Sequence, residues 1–94
     1  MEVPSEAHRA VVVPNAAGLH ARPCHAIAST ALGFQSDLEV RCEGRRANGK
    51  SILELMTLDA SQGKVLELVA RGPDSRPLVE ALERLVASGF DEPG

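Results

Sequence analysis

Gly18, His20 and Arg22 lie within five residues of one another, at the point where an extended run gives way to helical spacing. A neutral imidazole carries a ring nitrogen able to attack phosphorus, and a guanidinium two residues on supplies charge-assisted donors to the oxygens so gathered. Pro23 falls in the first turn of the expected helix, where a missing N–H is tolerated because the first amides have no intrahelical acceptor. The open amides of Ala21 and Arg22, together with the positive end of the helix dipole, make an anion site. The pattern predicts that His20 takes up a phosphoryl group and gives it away again. Dipole stabilisation of about 0.3–1 kcal/mol is weak enough to allow release. Gly18 permits a tight approach of the loop backbone to the same point.

The elements that must hold this histidine follow from punctuation and period. Val11-Val12-Val13, stopped by Pro14 and Asn15, predicts a first strand over residues 8–13. A first helix starts at His20 or Ala21, carries Cys24, Ile27, Ala28 and Ala31 as its apolar stripe, and stops at Gly33. Residues 37–43 alternate, with Leu38, Val40 and Cys42 on one face and Glu39, Arg41 and Glu43 on the other, as a half-wet strand does. A short third strand is expected around Arg46 and Ala47. A second helix, capped by Ser51, runs to about Leu58, with Ile52, Leu53, Leu55 and Met56 as its apolar residues. Residues 64–71 predict a fourth strand with Leu66, Leu68 and Ala70 on one face. Asp74 or Ser75 then caps a third helix with the stripe Leu78, Leu82 and Leu85, ended by Gly89. The order is βαββαβα. It predicts a two-layer open-faced α/β (α+β) sandwich, a four-stranded antiparallel sheet covered on one face by three helices. Residues 8–90 form the domain, residues 1–7 a flexible extension and residues 91–94 a polar tail.

Ninety-four residues allow one small domain with an aliphatic core, since Phe34 and Phe90 are its only aromatic residues. A formal net charge of −3 and the scarcity of aromatic stacking groups speak against nucleic acid as a partner. No apolar run is long enough to span a bilayer and no secretory signal pattern is present, so a cytoplasmic location is expected. Two cysteines, Cys24 and Cys42, make no disulfide framework and read as free thiols.

The run Gly18 to Pro23 reads G-L-H-A-R-P, and residues 49–56 read G-K-S-I-L-E-L-M. With these two motifs at this separation, residues 8–89 resemble the HPr family, the histidine-containing phosphocarriers of the bacterial phosphotransferase system. The resemblance implies that His20 accepts a phosphoryl group from phosphorylated enzyme I, charged by phosphoenolpyruvate, and passes it to an enzyme IIA domain in sugar transport. Arg22 would stabilise the phosphorylated state, and Ser51 would be modified by an HPr kinase/phosphorylase where one is present. Ile52, Leu53 and Met56 would form an apolar docking patch. Such a protein is a monomeric carrier with a transient phosphohistidine rather than a turnover enzyme, and it uses no cofactor or metal. A regulatory binding module, nitrogen-type or controlled through Ser51, is the alternative from the same family.

Three features stand apart from that pattern. Cys24 falls on the apolar stripe and reads as a packed thiol. His25, roughly 100° further round the helix, is expected to face partners. His20, Cys24 and His25 do not make a metal site, because His25 points elsewhere and no fourth ligand is evident. Glu54 places a charge beside the docking patch. Finally, residues 44–51 satisfy the phosphate-loop pattern G-x-x-x-x-G-K-[ST], which raises a nucleotide-binding alternative. The shortness of the chain, the lack of a later strand ending in a magnesium-binding aspartate, and bulky Arg45, Arg46 and Asn48 weigh against it.

Overall fold

The computed structural model describes residues 5–91. Its elements are β1 (Glu6–Val12), α1 (Ala21–Leu32), β2 (Asp37–Cys42), β3 (Arg45–Asn48), α2 (Ile52–Met56), β4 (Val65–Arg71) and α3 (Ser75–Ala87). The strands form one sheet in the order β1-β4-β2-β3, every neighbouring pair antiparallel. This is the expected βαββαβα sandwich. The alternation expected of β2 and β4 decides which face is covered: Leu38, Val40, Cys42, Leu66, Leu68 and Ala70 are buried toward the helices. Pro23, Cys24, Ile27, Ala28 and Ala31 of α1, and Leu78, Val79, Leu82 and Val86 of α3, close over them.

Tight turns fix the register. Glu43 and Gly44 both have positive φ, 48° and 83°, and join Cys42 to its cross-strand partner Arg45. That is the two-residue hairpin turn whose twist matches the flanking strands. Gly49 follows β3 so closely that an added Cβ would lie 2.2 Å from Leu38 Cδ2, and its N–H donates to the Leu38 carbonyl at 2.7 Å. The strand-to-helix corner before α3 is held by Asp74. Its carboxylate accepts from the amides of Gln35 and Ser36 and from Ser36 Oγ at 2.6–2.9 Å, while Ser36 Oγ accepts from the Asp74 amide at 3.0 Å.

Several boundaries differ from the sequence expectation. β1 begins at Glu6, not at residue 8, because Glu6 and Ala7 pair with Arg71 and Ala70. The expected flexible extension over residues 1–7 therefore overlaps the sheet, and its residues 1–4 lie outside the described residues. α2 ends at Met56 instead of reaching Leu58: Thr57 caps it, and Leu58 is buried beyond the helix. Gly33 does cap α1, but in right-handed conformation, with φ −77°. After α3, Gly89 takes φ +68° and the Phe90 amide donates back to the Leu85 carbonyl at 2.9 Å. This helix-ending turn folds Phe90, the last residue of the expected domain, onto the core, ahead of the polar tail expected from residue 91. Residues 92–94 of that expected tail lie outside the described residues.

The open face carries charge pairs: Arg41 with Glu39 and with Glu67, and Arg71 with Glu6. Val69 is nonetheless only 1 % exposed on this face, between cross-strand partners His8 and Glu39.

Candidate functional site

His20 is the N-cap of α1. Its backbone is extended (φ −95°, ψ −168°), its carbonyl accepts the first helical bond from the Cys24 amide at 3.1 Å, and its ring does not cap the helix. The loop before it is fixed from both sides. The Leu19 amide donates to the Ala60 carbonyl at 2.8 Å, and Asn15 Nδ2 donates to the Gly18 carbonyl at 3.2 Å. Gly18 has φ +70°, and a Cβ there would stand 2.6 Å from the Ala60 carbonyl oxygen. Only glycine fits both the conformation and the space, so the loop can press against residues 60–61 and present His20 at the helix mouth.

Ala21 and Arg22 occupy the first turn ahead of the first possible intrahelical acceptor, so their amides face outward. Pro23 is buried and contributes no N–H. Arg22 is exposed and has no carboxylate partner among the described residues, so its guanidinium remains available to an incoming anion. One turn beneath, Cys24 is fully buried with Sγ 3.8 Å from the Leu19 carbonyl oxygen. Burial pushes its thiol up to about 11, away from the reactive thiolate. The thiol is packing, as its place on the apolar stripe implied. Among the described residues no group of three or more His, Cys, Asp or Glu side chains gathers into a metal site.

His25 is exposed, with Nε2 3.4 Å from Ser29 Oγ. A shallow hollow beside the helix start brings it together with Ala21, Arg22, Ala26, Phe90 and Asp91. Phe90 and Asp91 were not expected here. The signal that places them is Gly89, whose left-handed turn folds the chain back. The contact of Gly18 with Ala60 was likewise invisible in sequence, since nothing in the residue types announces it.

Ser51 caps α2, its Oγ accepting from the Glu54 amide at 3.2 Å. α2 packs against α1. Of the residues expected in the apolar patch, Leu53 is 78 % and Met56 43 % exposed and Ile52 is half-buried, while Leu55 between them is buried as the anchor of the helix. Glu54 is exposed beside the patch, as expected. Its carboxylate folds onto the end of β3, accepting from the Asn48 amide at 3.0 Å.

The phosphate-loop alternative fails on this geometry. Residues 45–48 are a strand paired with β2, not a wrapping loop, and Lys50 Nζ donates to the Phe34 carbonyl at 3.0 Å. The motif matches in letters while its backbone is a hairpin.

Comparison with known proteins places the arrangement. Residues 7–88 match the family model for the PTS HPr component phosphorylation site. The chain belongs to the HPr family. It is 40 % identical over 84 residues to phosphocarrier protein HPr of Treponema pallidum, covering 89 % of this chain and 96 % of that one. It is 35 % identical over 86 residues to phosphocarrier protein NPr of Proteus mirabilis, covering 90 % and 96 %. The crystal structure of HPr-C-His from Thermoanaerobacter tengcongensis superposes with a TM-score of 0.88 at 36 % identity, covering 94 % of this chain and 99 % of that one. The open-faced sandwich is thus the HPr architecture, and the chain is a phosphocarrier of the phosphotransferase system. Among the described residues no helix is long and apolar enough to cross a membrane.

Proposed function

We propose that His20 is the phosphoryl acceptor and donor, charged by phosphorylated enzyme I and discharged to a histidine of an enzyme IIA domain. The observation that carries this is the placement of His20 at the N-cap of α1, next to the first-turn amides of Ala21 and Arg22 and to the exposed Arg22 side chain. In each transfer a ring nitrogen of the acceptor forms the new N–P bond as the donor's N–P bond breaks. The amides of Ala21 and Arg22 and the Arg22 guanidinium receive the phosphoryl oxygens. Ile52, Leu53, Met56 and His25 form the docking surface around the histidine. Ser51 is a regulatory position for an HPr kinase/phosphorylase, and the protein acts as a cytoplasmic monomer.

The test incubates the chain with enzyme I and labelled phosphoenolpyruvate, then adds an enzyme IIA domain. The expected product is an acid-labile, alkali-stable phosphate that is absent from His20→Ala and chases onto the added domain. Label that survives His20→Ala overturns the assignment. The similarity to an NPr favours a second reading, a nitrogen-type regulatory carrier. It uses the same His20 chemistry and is distinguished by which enzyme IIA receives the label faster.

A further inference from the structure

We propose that a negative charge placed on Ser51 unlocks α2 in this chain, because the Glu54 carboxylate already occupies the acidic place in its first turn. The proposal rests on reading Ser51 as a regulatory position and adds what modification does there. Three bonds close a ring across the end of β3, the turn and the start of α2. The Ser51 amide donates to the Asn48 carbonyl at 3.0 Å, the Glu54 amide donates to Ser51 Oγ at 3.2 Å, and the Asn48 amide donates to Glu54 Oε1 at 3.0 Å. The hydroxyl to be modified and the carboxylate are therefore both acceptors in one small ring, on residues three apart.

Phosphorylation by a separate kinase forms an Oγ–P bond, breaks the terminal P–O bond of a nucleoside triphosphate and releases the hydroxyl proton. It adds a charge of about −1.5 to −2. Elsewhere such a charge at a helix start is favourable, since it meets open amides and the dipole. Here Glu54 stands in that first turn, and an added anion beside a carboxylate repels it. The ammonium adjoining Ser51 in sequence is turned away to the Phe34 carbonyl, to which Lys50 Nζ donates at 3.0 Å. α2 has five residues, anchored by buried Leu55 and by half-buried Ile52 against the core, so the ring is what holds its first turn to β3. Leu53 and Met56 then lose their fixed presentation. Modification dissolves the patch as well as charging it.

The test compares the full chain with Ser51→Asp, Glu54→Gln and the double variant, by thermal midpoint and by amide exchange at Leu55, in low and high salt. Ser51→Asp is expected to lower the midpoint by about 4–8 °C and to speed exchange at Leu55, with salt shrinking both effects. In the Glu54→Gln background the same substitution is expected to cost nothing. Effects that are equal in the two backgrounds overturn the proposal. Should Ser51→Asp fail to fold while the double variant folds, the coupling is shown directly. Failure of both overturns it. Labelling of His20 from phosphoenolpyruvate and enzyme I, run on the same proteins, separates the two readings. Intact labelling with additive stabilities sinks the ring alone, and absent labelling with strong coupling sinks the carrier reading alone.

Discussion

In the proposed reaction Arg22 does what the backbone amides of α1 cannot do alone. Helix-start amides hold an anion weakly, by about 0.3–1 kcal/mol, whereas a charge-assisted hydrogen bond contributes about 1.5–3 kcal/mol. Arg22→Ala is therefore expected to slow phosphoryl transfer by about 10- to 150-fold, at about 1.4 kcal/mol per tenfold, with the fold unchanged by circular dichroism. Arg22→Lys should fall between the two, because lysine keeps the charge and loses the planar fork. Rates measured by rapid quench with phosphorylated enzyme I check this. Cys24 behaves in the opposite way. Its burial and its thiol raised to about 11 predict that iodoacetamide at pH 8 leaves it unmodified in the folded protein and alkylates it in urea. Alkylation of Cys24 at equal rates in both conditions would contradict its place in the core.

Two short elements aim the site. The loop of residues 15–19 is held to residues 60–61 at Gly18, where φ is +70° and no Cβ fits. Gly18→Ala is expected to destabilise the domain by about 1–3 kcal/mol and to lower transfer from His20, since the loop must leave Ala60 to accept a side chain. Chemical denaturation and the enzyme I assay read these separately. Retention of full stability and rate would show that the contact does not position the histidine. For α2 the corresponding anchor is Leu55, fully buried beneath exposed Leu53 and Met56. Leu55→Ala should cost about 2–5 kcal/mol. The site loop and α2 differ in how far sequence reveals them. Pro23, the stripe of α1 and the N-cap Ser51 are local signals, and they locate both helices. The length of α2 is set by Leu58 turning inward after Thr57, a tertiary choice that the apolar spacing of residues 52–58 does not encode.

At the level of the whole domain, the corner that joins α1, β2 and α3 depends on one carboxylate. The Ser36 hydroxyl, then the Gln35 and Ser36 amides, hold Asp74 below its ordinary value of 3.8. Because the folded value is the lower one, this contribution to stability is complete above the unfolded value and disappears as pH falls through the folded one. Acid denaturation below about pH 4 should thus lose part of its steepness in Asp74→Asn, as measured by denaturant midpoints between pH 2 and 5. A slope equal to that of the native chain would show that other carboxylates dominate.

Period and punctuation announced the sheet, its covered face and the element order, since Leu38-Val40-Cys42 and Leu66-Leu68-Ala70 state their own burial. Long-range partners carried no such mark. The bracket of Asp74 on Ser36, the return of Phe90 to the hollow beside Arg22, and buried Val69 on the charged face all join residues far apart in the chain. The G-x-x-x-x-G-K-[ST] run shows the reverse case, a local pattern whose meaning the pairing of β3 with β2 removes.

The central claim is that His20 itself carries the phosphoryl group. Phosphorus-31 NMR on the chain held in steady state with enzyme I and phosphoenolpyruvate tests it most directly, alongside the variants His20→Ala, His8→Ala and His25→Ala. A single phosphohistidine resonance, present in the native chain and in the His8 and His25 variants and absent from His20→Ala, is the predicted result. A resonance that persists in His20→Ala, or vanishes with His25→Ala while His20 is intact, would contradict it.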